Sequence, residues 1–227
     1  KGLLGMDQVA LLIFILILKQ PDLGNALIYL FVVICMLLSF AFPFRYFLFL
    51  AASAAIISPL AFNFLHDYQK NRILTFLNIT SDPLGTSYNA IQSQIAIGSG
   101  GFFGKGFGQA TQSTLRFLPE RHTDFIFATI AESLGFVGAA IVTGVIFFFL
   151  YKLYKESLLI ADSFSRLVMV GFYFLFFWHT FFNIGMNAGL LPIVGITLPF
   201  ISYGGSSLVT SFMTIGLASS IASAQGK

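Results

Sequence analysis

The segment FLPERHTDFIFA, residues 117–128, sets Glu120, Arg121, His122 and Asp124 in a nearly unbroken run before an apolar stretch long enough to cross a bilayer. A charge beside hydrocarbon is expensive unless it is solvated or paired, so ionisable groups at such a place tend to be functional. A carboxylate at the water–lipid boundary, near a helix N-terminus and with a basic neighbour, can be held partly desolvated. That is how a general base is prepared, and Asp124 is the candidate. The competing reading is structural: Pro119 ends the preceding segment, and Thr123 or Asp124 caps the helix that follows. One cap does not require Glu120, Arg121 and His122 as well. Glu132, two turns further on, is a second acid, expected to face the inside of a helix bundle rather than lipid.

Three other segments carry polar chemistry. KQPDLG (19–24) flanks Pro21 with Lys19 and Asp22. It reads either as a tight turn, with a snorkelling lysine and an N-cap aspartate, or as a polar group facing a site between helices. IAIGSGGFFGKGFGQ places six glycines within 98–108. It lacks the order of a nucleotide-binding P-loop, since Lys105 is followed by Gly106. It reads as a flexible loop in the headgroup region, or as backbone N–H groups with Lys105 near a lipid phosphate. NIGMNAGLLPIVGITLPFISYGGSS (183–207) combines Asn183, Asn187, two prolines and several glycines with Ser202, Tyr203, Ser206 and Ser207. Irregular backbone at membrane depth is tolerated where protein or a water-filled cavity receives it, though Gly-Gly-Ser-Ser also suits close helix packing. Trp178 and His179 read as packing residues. No His/Cys/Asp cluster has metal-ligand spacing.

The elements that must position these groups follow from composition. Hydrophobic residues make up 57% of the 227 and charged ones only 9%, with mean hydropathy +0.87. Soluble domains carry about 25% charged residues, so this chain lacks the charges for a water-exposed surface. Continuous apolar runs and 29 phenylalanines favour helices over a β-barrel. The expected fold is all-α, a polytopic transmembrane bundle of about six spans, each needing about 20 apolar residues. They fall at 6–19, 24–42, 46–65 (kinked at Pro59), 125–151, 167–186 and 205–223. Residues 66–123 form one large loop, in which Tyr68, Arg72, Ile73 and Phe76 are spaced as in an interfacial amphipathic helix. Lys152, Lys155 and Arg166 place the connector 151–166 in the cytoplasm, which puts 19–25, 66–124 and 187–207 together on the outer face. The whole chain reads as a single membrane domain. Its net charge of +3, without a Lys/Arg run, gives no sign of nucleic acid. The lone Cys35 carries no internal disulfide. The chain opens on Lys1 with a span arriving at once, and a further N-terminal part is expected.

KQPDLGNAL, DPLGTSYNAIQSQIAIGSGGFFGKGFG, TQSTLRFLPERHTDFIFATIAESLGFVGA and NIGMNAGLLPIVGITLPFISYGGSSL, in that order and nearly end to end, resemble the SEDS family (shape, elongation, division and sporulation). The TQS and ERHTD wording is closer to the rod-shape, elongation branch than to the division branch. The resemblance implies an inner-membrane enzyme of about ten helices that polymerises lipid II into glycan strands, the C-terminal six lying here. It also implies a class B penicillin-binding protein as cross-linking partner, within a set of elongation-complex proteins. The family's essential acid falls on Asp124, with Asp22 a further candidate.

In that reaction a sugar hydroxyl attacks an anomeric carbon and expels undecaprenyl pyrophosphate. Pyrophosphate leaves without protonation, so one carboxylate suffices where hydrolytic glycosidases need two. Lys105, Arg72 and Arg121, or a divalent ion (Mg2+ or Mn2+) carried by the substrate, would meet the charge growing on the diphosphate. Lys19, Asp22, Glu120, His122, Asn187, Ser202, Tyr203 and Ser206 complete the expected substrate-binding set. Two other functions compete. A lipid II flippase should show polar positions through the spans to the inner side, and apart from Glu132 few are seen. A docking scaffold would leave the charged lip without a purpose.

Overall fold

The computed structural model describes residues 22–39, 87–114 and 117–225, with isolated positions between 16 and 76. Among these residues the fold is all-helical. The six helices are α1 (Leu23–Ser39), α2 (Tyr88–Gly100), α3 (Thr111–Thr114), α4 (Ile126–Leu159), α5 (Ser163–Asn187) and α6 (Gly205–Gln225). α4, α5 and α6 are each long and apolar enough to cross a membrane, and α1 is a shorter apolar helix. The expected spans at 6–19 and 46–65 and the amphipathic helix near 68–76 lie outside the described residues, apart from isolated positions.

α5 is the centre of the bundle, packed between α1 and α4. On one side Phe182 and Met186 bury against Ile28 and Val32 of α1 and against Val194 and Ile196 of the loop after α5. Trp178 stacks on Phe31 with ring centroids 4.7 Å apart, which is the packing role expected of it. On the other side Met169 and Phe176 join Ile146, Leu150 and Leu153 of α4, with Leu198 and Ala218 closing the cluster.

Two boundaries differ from the sequence reading. The connector expected at 151–166 is mostly helical. α4 runs on to Leu159, so Lys152 and Lys155 ride on its last turns and only 160–162 link it to α5. Asp162 caps α5 by accepting from the Ser165 N–H at 2.8 Å. The polar SYNAIQSQIAIG stretch, read as a loop, is helix α2, buried through the small residues Ala90, Ser93 and Ala96 on one face.

A further difference is a break inside α4. Gly135 is non-helical, with φ 69° and ψ −166°. A broken helix strands carbonyls before the break and N–H groups after it, and in hydrocarbon these need partners. The glycine-rich turn after α2 supplies them. The N–H groups of Lys105 and Gly106 donate to the carbonyls of Glu132 and Ser133 (3.0 and 2.9 Å). Phe136 and Val137 donate to the carbonyls of Gly101 and Phe102 (2.8 and 3.1 Å). This seam requires bare backbone on both sides. Gly104 has φ 79°, and a Cβ on it would collide with the Ser133 carbonyl; one on Gly135 would strike the Gly104 nitrogen. The turn 101–106 therefore forms an ordered backbone seam against α4, where the sequence suggested a flexible loop or backbone N–H groups near a lipid phosphate.

Candidate active site

The loop that delivers Asp124 is held by its backbone. Asn183 and Asn187 lie one turn apart on α5, both fully buried. Each donates a side-chain N–H to the Asp124 carbonyl at 2.9 Å. Asn183 also donates to the Ile196 carbonyl (2.6 Å), and Asn187 to the Asn183 carbonyl (2.8 Å). The Asn187 side-chain oxygen accepts from the Ala128 N–H at 3.1 Å. Phe125 occupies the N-cap position of α4 and has no side-chain oxygen to offer, so a first-turn donor is satisfied from another helix. Ser202 donates to the Thr123 carbonyl (2.7 Å) while accepting from Leu198, and the Tyr203 N–H donates to the His122 carbonyl (2.8 Å). Three consecutive carbonyls, 122 to 124, are thus fixed from α5 and from the loop that follows it.

Neither Thr123 nor Asp124 stands at the N-cap. The Thr123 hydroxyl binds Glu120 instead, at 2.9 Å to its carboxylate. Arg121 donates to the neighbouring ring of His122 at 3.0 Å, and both Glu120 and His122 are exposed. Asp124 is half-buried. Its carboxylate lies 3.4 Å from the point where a side chain on Gly195 would begin.

Gly195 leads to a polar cavity of about 590 Å3. Thr197 lines it, as do Asp22 and Asn25 from the start of α1, His179 from α5, and Ser206, Ser207, Thr210, Ser211 and Thr214 from α6. Asp124 is not a lining residue; it stands two residues away, beside Gly195. Asp22 faces this cavity and also binds the Asn25 backbone and side chain (3.0 and 2.6 Å), so it combines the two roles weighed for it. The hydroxyl row of α6 is legible as positions sharing one helical face, of which Ser206 and Ser207 stand out in the sequence. His179, expected to pack within its span, has its ring in the cavity wall, 3.4 Å from the Thr197 carbonyl.

The other expected substrate contacts divide. Asn187 and Ser202 are buried, with their polar atoms engaged by protein, so they position backbone instead of facing a substrate. Tyr203 is exposed. Lys105 lies 3.7 Å from Glu132, which is completely buried. That carboxylate also accepts from Gln112 N (2.9 Å), Ser113 N (2.9 Å) and the Ser113 hydroxyl (2.6 Å). Glu132 therefore caps α3 and faces the protein interior, as expected of it. Lys19 and Arg72 lie outside the described residues. Among the described residues no three His, Cys, Asp or Glu side chains gather as a metal site.

A family model described as cell cycle protein, for FtsW, RodA and SpoVE, matches residues 2–227. The peptidoglycan glycosyltransferase MrdB of Escherichia coli is 41% identical over 208 residues, 91% of this chain and 56% of that protein. A probable peptidoglycan glycosyltransferase FtsW of Trichlorobacter lovleyi is 38% identical over 217 residues, 95% of this chain and 56% of that one. The chain spans about half the length of these curated relatives. Among solved structures, a chain from work on the coordination of polymerization and crosslinking by a peptidoglycan synthase complex superposes with TM-score 0.81. It is 32% identical, and the match covers 96% of this chain and 61% of that one.

Proposed function

The chain belongs to the FtsW, RodA and SpoVE family of cell cycle proteins, and from that premise we propose that it is the catalytic part of a peptidoglycan glycosyltransferase that polymerises lipid II. The observation that carries the reading is the clamp on Asp124. Two buried amides and a serine hydroxyl fix the backbone of the charged lip, while the half-buried carboxylate stands next to the loop that borders a polar cavity. A base must be placed before it can act, and general-base help is worth about 10²–10⁴-fold.

In this mechanism the Asp124 carboxylate takes the proton of the attacking sugar hydroxyl as its oxygen bonds the anomeric carbon of the second substrate. The bond to undecaprenyl pyrophosphate breaks, and the diphosphate leaves with its electron pair. Arg121, half-buried in the same loop, offers a cation to that charge. The donor set of the described residues does not by itself fit a resident divalent ion, so no step is routed through one. The site belongs to the outer face of the cytoplasmic membrane, where the sugar is reached while the lipid tail stays in the bilayer. A class B penicillin-binding protein would cross-link the product, with other elongation proteins around the pair; the crosslinking complex among the structural relatives supports this partner.

The flippase alternative needs a polar path to the opposite face. The α6 hydroxyls that line the cavity run only from Ser206 to Thr214, eight residues and about 12 Å, and among the described residues the cavity goes no deeper, which supports the enzyme. The test is purified Asp124→Ala supplied with lipid II. Glycan ladders on a gel should vanish while the melting temperature in detergent stays near wild type. Polymer at the normal rate overturns the role of Asp124.

A further inference from the structure

Among the described residues Phe200 is the one non-glycine residue with a positive φ, 65°. It sits in the turn Leu198–Pro199–Phe200–Ile201, closed by the Ile201 N–H donating to the Leu198 carbonyl at 3.3 Å. Proline at the second position and a positive φ at the third are the pattern of a type II turn, whose third position normally takes glycine or asparagine. A bulky side chain meets steric strain there. Such strain persists only where the surroundings over-determine it, and it gathers at functional sites.

The ring supplies the constraint. Phe200 meets Phe149 of α4 edge to face at 5.5 Å between centroids, Phe176 of α5 at 5.2 Å and Phe212 of α6 at 5.9 Å. One aromatic from each of the three long apolar helices thus holds the ring, at spacings where such pairs are favourable. The backbone fixed by this ring leads straight to the charged lip. The Ser202 N–H donates to the Leu198 carbonyl at 3.0 Å, and the Ser202 hydroxyl accepts from the Leu198 N–H at 2.7 Å. The turn therefore sets where that hydroxyl stands, and the same hydroxyl donates to the Thr123 carbonyl at 2.7 Å. The next residue, Tyr203, donates its N–H to the His122 carbonyl at 2.8 Å. Building on the glycosyltransferase reading, we propose that Phe200 is a positioning residue: through its left-handed turn, the packing of α4, α5 and α6 sets the position of the lip that carries Asp124. A glycine would take the conformation freely but would give the helices no ring to hold.

Two variants separate backbone from ring. Phe200→Val and Phe200→Gly lose the same three ring contacts, so both should melt earlier in detergent. They differ at the backbone, because a β-branched residue resists a positive φ and glycine does not. In nanodiscs supplied with lipid II, Phe200→Val should lower kcat by about 10–100-fold, the scale set by a displacement on the order of 1 Å, with KM near wild type. Phe200→Gly should recover most of that loss despite its lower melting temperature. Equal kcat losses in the two variants, or wild-type kcat in Phe200→Val, overturn the proposal. Adding Phe200→Val to Ser202→Ala should lower kcat by less than the product of the single effects; fully multiplicative losses overturn the route through Ser202. If Phe200→Val cannot be purified, Phe200→Ala, which also resists a positive φ, takes its place.

A second measurement is independent of turnover. Amide exchange at Tyr203, whose N–H reports the grip on His122, should be faster in Phe200→Val and near wild type in Phe200→Gly. Equal protection in all three proteins, or equal loss in both variants, overturns the role of the turn. If the wild type makes no polymer the enzyme reading fails, and exchange at Tyr203 alone decides whether Phe200 holds the lip.

Discussion

Replacing Asn187 by alanine deletes, at one buried position, the donations to the carbonyls of Asp124 (2.9 Å) and Asn183 (2.8 Å) and the acceptor for the Ala128 N–H (3.1 Å). The Asp124 carbonyl keeps Asn183 at 2.9 Å, so it is weakened but not abandoned. The Ala128 N–H is a first-turn donor without an intrahelical partner, in a residue that is 0% exposed. Stranding it costs about 1–3 kcal/mol, and the looser hold on two carbonyls adds about 1 kcal/mol, so stability should fall by about 2–4 kcal/mol. The larger effect is on rate, since a displacement of Asp124 on the order of 1 Å is worth about 10²-fold. Glycan synthesis by the purified variant, read beside its melting curve in detergent, separates the two. Asn187→Asp keeps an acceptor for Ala128 but loses both donations, so it should retain the rate defect even where stability recovers. Adding Asn187→Ala to Asp124→Ala should lower the residual rate no further. A variant with a clear melting defect and wild-type turnover would show that the clamp supports the fold and does not place a base.

Glu132→Ala should lower the melting temperature by the equivalent of about 2–4 kcal/mol, because it leaves two α3 N–H groups and the Ser113 hydroxyl without their acceptor; Glu132→Gln, which keeps one acceptor, should lose less, and equal melting of all three proteins would refute the cap. Gly104→Ala should open the seam at the α4 break, since φ 79° and the Ser133 carbonyl both oppose a side chain; faster amide exchange at Phe136 and Val137 would show it, and unchanged protection would contradict it. Asp162 has its carboxyl held below the usual carboxylate range, chiefly by hydrogen bonds from Ser165, side chain before backbone. Its contribution to α5 is therefore present above the unfolded-state pKa and is lost as pH falls through the lower folded value. The melting difference between wild type and Asp162→Ala should vanish in strong acid; a constant difference would sink this assignment.

The late spans were readable because apolar runs in a membrane have one solution, a helix that satisfies its own backbone. The spans at 167–186 and 205–223 follow from that alone and fall within helices Ser163–Asn187 and Gly205–Gln225. The break at Gly135 was not readable. ESLGFVGAA has glycines at ordinary helical spacing, and what makes one of them non-helical is a second glycine, Gly104, meeting it from another segment. α2 was missed for a related reason: its buried face is Ala90, Ser93 and Ala96, small and partly polar residues chosen for close approach rather than hydropathy. At the site, residue types drew attention to the charged loop and to 183–207 but not to which of their groups bind one another. Asn187 and Ser202 looked like substrate contacts because polar groups in an apolar chain suggest a ligand. In the structure the ligand of each is a carbonyl of the charged loop.

That substitution explains how a chain so apolar can place ionisable groups at the edge of a bilayer. Holding the loop by ion pairs would commit its charges to one another and add desolvation cost with each partner buried. Neutral amides and a hydroxyl grip the carbonyls of residues 122 to 124 without introducing charge. The Glu132–Lys105 ion pair lies on the α3 side, with Glu132 buried and Lys105 partly exposed, and Glu132 accepts three further hydrogen bonds. Under the proposed mechanism, placement and reactivity then fall to different chemical groups. Asn183→Ala, which removes one donor from each of the Asp124 and Ile196 carbonyls, should accordingly lower the rate of glycan synthesis with only a modest loss of melting temperature, and wild-type turnover in that variant would break the separation.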